Sequence, residues 1–400
     1  MAKVVISRQA AASVRRGHPW VFRSSLLKEG PSEAKGSRVR IFSEDGDAIG
    51  AGIYDANSPL AVRVWALGDD ARLDASVFRE RLVAALAVRR TMFSDATTAY
   101  RILNGEGDRT PGFVIDRYAD VAVLRIDGDA ARDEAEELTR DLESVLRDAG
   151  VTTLLERGGG RRTGRDAGEE KTITARFGPM REHVEVKEHG VPFVVDLVAG
   201  QKTGAFLDQR ENRRRIQELV ERRSARGSGT RVLNLFSYTG GFSLRAALGG
   251  GTVTSVDIAT RAHATAQASF KLAGVDPKRH TFVAADAFAW LAEAKRKKEK
   301  WDVVISDPPS FAPNERAKTK ALSAYRALHQ ACADVLANGG HFVAASCSSH
   351  VTLDDFLSTL DDAALQRHDL RLLDVYGPPG DHPTLPVFRE GRYLKLAILA

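Results

Sequence analysis

The chain has 400 residues, more than one hydrophobic core usually supports, so two or three domains are expected. Its hydrophobic and charged fractions, 43% and 28%, are those of a folded globular protein and exclude extensive disorder. The net charge of +5 fits an anionic partner, and the absence of a long apolar stretch excludes a signal peptide or membrane span, so the cytoplasm is the expected compartment.

The chain contains two cysteines, Cys332 and Cys347. No histidines lie near them at zinc-finger spacing, so neither a disulfide framework nor a metal site is expected. A lone intracellular thiol can still act as a nucleophile, so both cysteines are considered for a chemical role.

Residues 1–72 are predicted to form a small β domain. The segments "RVRIF" and "AIGAGIY" flank Asp45-Gly46, a pair typical of a hairpin turn, and "LAVRVWAL" follows as a third strand. This pattern indicates a small, β-barrel-like domain.

Residues 73–190 are predicted to form a mixed α/β middle domain. A helix is expected over 74–93, two strands meet at Tyr118-Ala119-Asp120, and a second helix covers 131–150. The stretch "RGGGRRTGRDAGEE" (157–170) has the composition of a mobile surface loop.

Residues 191–400 are predicted to form a doubly wound sheet. From about residue 230, strands such as "RVLNLF", "TVTSVDI" and "WDVVIS" alternate with helices, a pattern typical of parallel strands covered on both faces. The last two strands, "LRLLDVY" and "GRYLKLAIL", have no helix between them, so one of them is expected to pair antiparallel.

Four turns at the carboxyl ends of the first four strands carry glycine or aspartate. They are Gly240-Gly241 in "NLFSYTGGF", Asp257, Asp286 and Asp307, the last held in "SDPPSF" by two prolines that fix the backbone. Open α/β sheets bind ligands at this edge, where Asp257 could accept from ribose hydroxyls and Asp286 from an adenine amino group. A helix cap explains Asp286 equally well.

This order of turns resembles the class I S-adenosylmethionine-dependent methyltransferases, which have a Rossmann-like sheet. Together with "GQKTGAFLDQREN" (200–212), "SCSSH" (346–350), "DHP" and "GRYLK", the chain resembles the ribosomal RNA large-subunit cytosine-5 methyltransferase family. The N-terminal "RRGHPWVF" (15–22) is similar to the PUA domain of that family, an RNA-binding module. The segment "ERGGGRRTGRDAGEE" departs from the family by its extra glycine and arginine.

The resemblance implies a cofactor, S-adenosylmethionine, and a set of residues that bind it. The implied set is Lys202, Thr203, Phe206, Asp208, Arg210, Phe236, Ser237, Tyr238, Thr239, Gly240, Gly241, Asp257, Ile258, Asp286, Ala287 and Asp307. For residues 202–210 the alternative is that they cap and begin the following helix.

Methylation of cytosine carbon 5 requires a thiolate, which adds at carbon 6 and makes carbon 5 nucleophilic. Cys347 follows the strand "HFVAAS", beside the Asp307 turn if the two strands are neighbours, whereas Cys332 lies on an apolar helical stripe and is expected in the core. Asp307 could hydrogen-bond the ring nitrogen next to the amino group as a general acid. The base that removes the carbon-5 proton is left open among Ser310, His350, Asp381, His382 and water.

Arg15, Arg16 and His18 are candidate RNA-binding residues, since cations contact phosphates. The alternative is that the arginines only keep the surface soluble, and Trp20 is expected in the core.

The sequence therefore predicts an RNA methyltransferase that forms 5-methylcytidine in large-subunit ribosomal RNA. One alternative is methylation of a base nitrogen, which would not need Cys347, and a second is an RNA-binding assembly factor without catalysis. The nucleotide, the assembly state of the substrate RNA and the oligomeric state are left open, a homodimer being one option.

Overall fold

A computed structural model describes residues 1–28, 37–158, 173–227, 229–312 and 314–400. Most of the predicted glycine- and arginine-rich loop therefore lies outside the described residues. The chain divides into two compact units. The first comprises Met1–Gly190, Val195–Leu207 and Gly380–Gly391, and the second comprises Val191–Val194, Asp208–Pro379 and Arg392–Ala400.

The first unit contains a six-stranded and a five-stranded sheet. Its strands are β1 (Ala2–Ile6), β2 (Trp20–Phe22), β3 (Leu26–Lys28), β4 (Ser37–Ser43), β5 (Ala48–Tyr54), β6 (Leu60–Leu67), β7 (Ala99–Asn104), β8 (Phe113–Tyr118), β9 (Val121–Ile126), β10 (Thr153–Arg157), β11 (Ile173–Phe177), β12 (His183–Glu188) and the end of β13 (Val191–Asp196). Its helices are α1 (Arg8–Arg15), α2 (Ala75–Met92), α3 (Asp129–Asp133), α4 (Ala135–Leu138) and α5 (Leu142–Asp148).

The N-terminal sheet has the order β2-β6-β5-β4-β1-β3. The predicted hairpin at Asp45-Gly46 is confirmed, because β4 and β5 pair antiparallel around it and Gly46 has a φ of 90°. Helix α1, which the strand pattern did not predict, packs into the core of this sheet through Ala11 and Val14. Trp20 was expected in the core but is only half-buried, and its indole N–H donates to Glu106 at 2.8 Å.

The second sheet of this unit has the order β11-β10-β9-β8-β7, and α2 packs against it through Phe78, Leu82 and Leu86. The predicted strands meeting at residues 118–120 are confirmed as β8 and β9. The single helix predicted over 131–150 is wrong, because α3, α4 and α5 divide it. Between α4 and α5 the hydroxyl of Thr139 donates to the carbonyl of Ala135 at 2.7 Å, a side-chain bond of the kind that competes with helix hydrogen bonds.

The second unit is built on a seven-stranded sheet with the order β16-β15-β14-β17-β18-β20-β19. Its strands are β14 (Thr230–Leu235), β15 (Gly251–Asp257), β16 (Thr281–Ala284), β17 (Trp301–Ser306), β18 (Leu336–Ser346), β19 (Leu372–Tyr376) and β20 (Lys395–Leu399). Its helices are α6 (Arg210–Ser224), α7 (Gly241–Leu248), α8 (Thr260–Leu272), α9 (Ala287–Arg296), α10 (Lys318–Val335), α11 (Leu353–Leu357) and α12 (Asp362–Leu365).

The doubly wound sheet predicted from the alternating pattern is confirmed. Strands β14 to β18 are parallel, and β20 pairs antiparallel with both β18 and β19. Val303 and Ile305 belong to the core cluster beneath α6 and α7, whereas Val304 belongs to the cluster beneath α9 and α10. Alternate residues of β17 thus face opposite layers of helices, as a strand period of two requires.

The strand order reverses between β14 and β17. The chain first moves outward from β14 to β15 and β16, and then returns to β17 on the other side of β14. Open α/β sheets bind ligands outside the carboxyl ends of the strands at such a reversal. The carboxyl ends of β14 and β17 therefore mark where a site is expected. Among the described residues, no helix is long and apolar enough to span a membrane.

Candidate active site

The glycine-rich turn after β14 has an unusual backbone. Phe236 and Tyr238 have φ values of 56° and 46°, in the left-handed region that non-glycine residues rarely adopt. Gly240, with a φ of 73°, precedes α7, and a Cβ there would lie 2.8 Å from the Cβ of Ala266. Such strain concentrates at ligand-binding turns because the surrounding structure must hold it in place.

Asp257, at the end of β15, supports this turn. Its two carboxylate oxygens accept backbone N–H groups from Tyr238 and Ala259, each at 2.8 Å. Each oxygen has a second acceptor position, so the carboxylate can also bind a ligand hydroxyl. The neighbouring Ile258 is 77% exposed and offers an apolar surface next to the carboxylate.

Asp286 caps helix α9. Its side chain accepts the backbone N–H of Ala289 at 2.9 Å, which is the helix-cap alternative weighed for this residue. The next residue, Ala287, is buried, and Phe288 is 38% exposed. Contact between Asp286 and an adenine ring stays a prediction, since the cap uses one carboxylate oxygen and the residue is exposed.

Asp307 and Cys347 follow two neighbouring strands. Parallel pairing aligns Ser306 of β17 with Ala344 of β18. Asp307 and Cys347, which follow these strands, therefore lie at the same edge of the sheet. The Sγ atom of Cys347 lies 4.0 Å from the carbonyl oxygen of Pro308, the residue after Asp307. The structure thus brings the thiol and the backbone of the Asp307 turn together. Both side chains are half-buried, whereas Cys332 is fully buried in the core with Tyr325, as expected.

A residue that the sequence reasoning missed holds the Asp307 carboxylate. Gln209 is 3% exposed, and its Nε2 donates to Oδ2 of Asp307 at 2.9 Å. The side chain of Asn212 in turn donates to the Gln209 oxygen at 2.6 Å, which fixes the direction in which Gln209 donates. Both residues lie in "GQKTGAFLDQREN", but a buried amide has no periodic signal in the sequence.

Asp208 and Arg210, from the same segment, are 2% and 1% exposed. Asp208 accepts the hydroxyl of Tyr393 at 2.7 Å, and Arg210 begins α6 and donates to Glu211 at 3.1 Å. These contacts fit the alternative in which the segment starts the helix. A direct role of the two residues in binding a cofactor stays a prediction.

Lys202, Thr203 and Phe206 belong to the first unit and have their described contacts there. The ammonium of Lys202 lies 4.5 Å from the ring centre of Phe206. Thr203 is buried and donates at 2.5 Å to Asp116, whose carboxylate also receives two hydrogen bonds from Arg101, at 2.8 and 3.0 Å. Thr203 is therefore part of a buried ionic network, and its contact with the cofactor stays a prediction.

The candidate RNA-binding residues lie at the end of α1. Arg15 and Arg16 are exposed, and Arg15 forms an ion pair with Asp47 at 2.7 Å. His18 is half-buried, with Nε2 3.5 Å from a carboxylate oxygen of Glu390. Exposed guanidinium groups can contact phosphate, so the predicted RNA contact stays open for this surface.

The sheet, its strand-end acids and its strained glycine-rich turn define an S-adenosylmethionine-dependent methyltransferase. Residues 170–387 match the family described as S-adenosylmethionine-dependent methyltransferase, and residues 4–66 match a PUA-like domain. A putative S-adenosylmethionine-dependent methyltransferase from Streptococcus mutans has the same fold, with a TM-score of 0.85 and 23% identity over 100% of both chains.

Two relatives narrow the family. A ribosomal RNA large subunit methyltransferase from Deinococcus radiodurans is 36% identical and covers 98% of this chain and 96% of its own length. Ribosomal RNA large subunit methyltransferase I from Photobacterium profundum is 33% identical, covering 96% of this chain and 95% of its own. The chain belongs to the family of these ribosomal RNA large subunit methyltransferases.

The turn after β14 suits S-adenosylmethionine. The hydroxyl of Ser237 is buried and has no hydrogen-bond partner among the described residues, so it needs a polar ligand or water. Asp257 has acceptor positions for ribose hydroxyls, and Ile258 offers an apolar surface. These three residues would hold the cofactor, which supplies an electrophilic methyl group when bound.

Proposed function

We propose that this protein methylates carbon 5 of a cytosine in large-subunit ribosomal RNA through a covalent adduct with Cys347. The juxtaposition of Cys347 with the Asp307 turn, at the carboxyl ends of β17 and β18, carries the proposal. The names of the relatives support ribosomal RNA as the partner, and the PUA-like domain is the expected contact with it. The cytoplasm is the expected compartment, and a homodimer remains a prediction.

Carbon 5 of cytosine is a poor nucleophile, and the thiol is proposed to activate it. Carbon 5 of cytosine becomes nucleophilic when the Cys347 thiolate forms a bond to carbon 6 and the ring electrons shift toward nitrogen 3 and carbon 5. After carbon 5 has taken up a methyl group, its hydrogen leaves as a proton. The electron pair of that C–H bond restores the ring double bond, the bond between sulfur and carbon 6 breaks, and the thiolate returns.

Asp307 is proposed to neutralise the negative charge that develops on the ring when the thiolate adds. Its carboxyl group is proposed to hydrogen-bond nitrogen 3, to supply a proton there as the thiolate adds, and to take that proton back once carbon 5 has been methylated. Two prolines stiffen the backbone after Asp307, and the bond from Gln209 fixes its carboxyl group. A fixed acid lowers the reorganisation needed in the transition state.

The acceptor for the carbon-5 proton is proposed among Ser310, His350 and water. Ser310 follows the Asp-Pro-Pro turn and is exposed, and His350 is half-buried in the segment after Cys347. Asp381 and His382 were also candidates, but both are buried in the first unit, where Asp381 accepts the backbone N–H of Arg101 at 2.9 Å. A base must reach its proton, so we rank the accessible groups first.

A second candidate is methylation of a base nitrogen. Asp-Pro-Pro turns followed by an aromatic residue can also hold an amino group or ring nitrogen, and Phe311 here packs against Tyr325 with ring centres 4.9 Å apart. This reaction needs Asp307 but no thiol. The requirement for Cys347 therefore separates the two reactions.

The test is a nucleoside analysis. The protein is incubated with methyl-labelled S-adenosylmethionine and unmodified large-subunit ribosomal RNA, and the digested nucleosides are identified by mass spectrometry. Wild type is expected to form labelled 5-methylcytidine, and Cys347→Ala none. Cys332→Ala is the matched control, because it removes the other, buried thiol and is expected to leave product formation intact.

Two results would contradict the proposal. Labelled purine, or label on a nitrogen, would assign Asp307 to nitrogen methylation. Labelled 5-methylcytidine in Cys347→Ala would remove the covalent step. An independent reading uses RNA that contains 5-fluorocytidine, from which no proton can leave carbon 5. Wild type is expected to form an adduct that survives denaturing electrophoresis, and Cys347→Ala is expected to form none.

A further inference from the structure

Lys395, in the "GRYLK" motif, is a buried lysine next to the strand that leads to Cys347. It begins β20, is 5% exposed, and lies opposite Ser346 in the antiparallel pairing of β18 and β20. Lysine side chains are almost never this buried unless their charge has partners. The partners of its ammonium group therefore indicate what the buried charge does.

The ammonium group binds the backbone of the segment that carries Cys347. The Nζ atom donates to the carbonyl oxygens of Ser348 and Val351, both at 2.6 Å. One side chain thus connects two points of the loop after β18, one directly after the thiol and one four residues beyond it. Two of its three donors are used in this way, and the carbonyl dipoles offset part of the cost of burying its charge.

The charged groups around the thiol have opposing effects. Burial lowers the pKa of Lys395 to about 8, while the charges of Cys347 and Asp355 favour its protonated form. Burial raises the pKa of Tyr325 to about 12, so this neighbour is neutral at pH 7. An ionised Asp307 would disfavour a thiolate, whereas the protonated form that a general acid requires would not. Among these groups Lys395 carries the positive charge. Asp355 forms an ion pair with Lys318, whose Nζ lies 2.7 Å from a carboxylate oxygen of Asp355.

We propose that Lys395 is a positioning residue for the nucleophile: its ammonium group fixes the loop that presents Cys347 and favours the thiolate form of that cysteine. A positive charge near a thiol stabilises its thiolate, and the same charge bound to the loop keeps the sulfur in place. The inference rests on the proposed function, in which Cys347 attacks the base. It adds a group that acts on the nucleophile without contacting the substrate.

The test is the pH dependence of alkylation of Cys347 by iodoacetamide, without RNA or cofactor, followed by peptide mass spectrometry. Only the thiolate reacts, so the midpoint of the rate profile reports the pKa of the thiol. In wild type we expect a midpoint below about 8.5, the value of a free cysteine. In Lys395→Met we expect the rate at pH 7 to fall about tenfold, equivalent to one pKa unit. Lys395→Arg, which keeps the charge, is expected to remain near wild type.

A matched control removes a lysine with similar contacts elsewhere. Lys300 donates to the carbonyl oxygens of Asp334 and Leu336 at 2.7 and 3.4 Å, near the start of β18, whereas Cys347 follows its end. Lys300→Met is expected to leave the Cys347 profile unchanged. The buried Cys332 reports folding in every variant, because only unfolding exposes it to the reagent.

An unchanged profile in folded Lys395→Met would overturn the inference. If that variant unfolds and labels Cys332, the wild-type midpoint decides: a value at or above about 8.5 overturns the inference, and a lower value supports it. In the methylation assay, Lys395→Met is expected to lower kcat about tenfold with the KM for RNA unchanged. If Cys347→Ala still makes 5-methylcytidine, the proposed function fails. If methylation needs Cys347 but ignores Lys395, only this inference fails.

Discussion

Replacing Asp257 by asparagine tests the assignment of the cofactor site. In the wild type both carboxylate oxygens accept backbone N–H groups, from Tyr238 and Ala259, each at 2.8 Å. Asparagine keeps the shape but has one acceptor oxygen, so its NH2 group must face one of these two donors. We expect Asp257→Asn to lower the free energy of unfolding by about 1–3 kcal/mol, the cost of leaving such a donor unpaired.

The effect on ligand affinity follows from the same geometry. A hydrogen bond from a ligand hydroxyl to a charged acceptor contributes about 1.5–3 kcal/mol. Losing one such bond raises the dissociation constant about 10- to 150-fold. Isothermal titration calorimetry with S-adenosylhomocysteine measures this change, and urea denaturation measures the change in stability.

The matched control is Asp276→Asn. Asp276 also accepts the backbone N–H two residues further on, from Lys278 at 3.0 Å, but it precedes β16 and so lies at the opposite end of the parallel strands from Asp257. We expect its substitution to leave the affinity unchanged. Affinity of Asp257→Asn within threefold of wild type would refute the reasoning and make Asp257 a turn residue only.

Three further substitutions test other parts of the structure. Asp286→Asn retains the cap of α9, since asparagine caps helices as well as aspartate, so stability is expected to hold; weaker S-adenosylhomocysteine binding by calorimetry would then reveal a contact with adenine, and unchanged binding would show that Asp286 is only a cap. Asp116→Ala removes the buried carboxylate that pairs with Arg101 and is expected to lower the free energy of unfolding, measured by urea denaturation, by about 3–5 kcal/mol. Asp120→Ala, which removes an exposed ion pair, is expected to lower it by under about 1 kcal/mol. Burial lowers the pKa of His329 from 6.5 to about 4, so between these pH values the unfolded state binds a proton that the folded state does not. As the pH falls from 6.5 to 4, the free energy of unfolding should therefore fall by up to about 3 kcal/mol. Denaturation curves at successive pH values measure this slope, and His329→Gln should lack the part that His329 contributes.

The fold of the second unit could be predicted because its strands and helices alternate in the sequence. Val303, Val304 and Ile305 form a continuous apolar run, which is typical of a strand buried on both faces. The placement of β20 between β18 and β19 could not be predicted, since pairing partners of antiparallel strands leave no periodic trace. Only the antiparallel direction followed from the missing helix.

The candidate site shows the same division. Asp307 and Cys347 could be found because each ends a strand that the sequence predicts. Gln209 and Lys395 could not, because their contacts join residues 98 and 47 positions apart in the chain. From the sequence, a polar residue next to a predicted helix or strand is expected at the surface, and only the tertiary structure shows that it is buried. The division of the helix predicted over 131–150 was missed for the converse reason, a local side-chain bond that periodicity does not register.

The place of β20 in the sheet also sets an order of assembly. Among the described residues β19 pairs with β20 alone, which the ribosome makes later, and β18 has an open edge until β20 pairs with it. An open edge of a central strand can pair with other chains, so the nascent protein passes through a stage that favours aggregation. Lys395 is synthesised with β20, so its hydrogen bonds to the loop after Cys347 can form only after β20 has been made. The two hydrogen bonds that hold the loop after Cys347 therefore depend on the strand that is made last among the seven of this sheet.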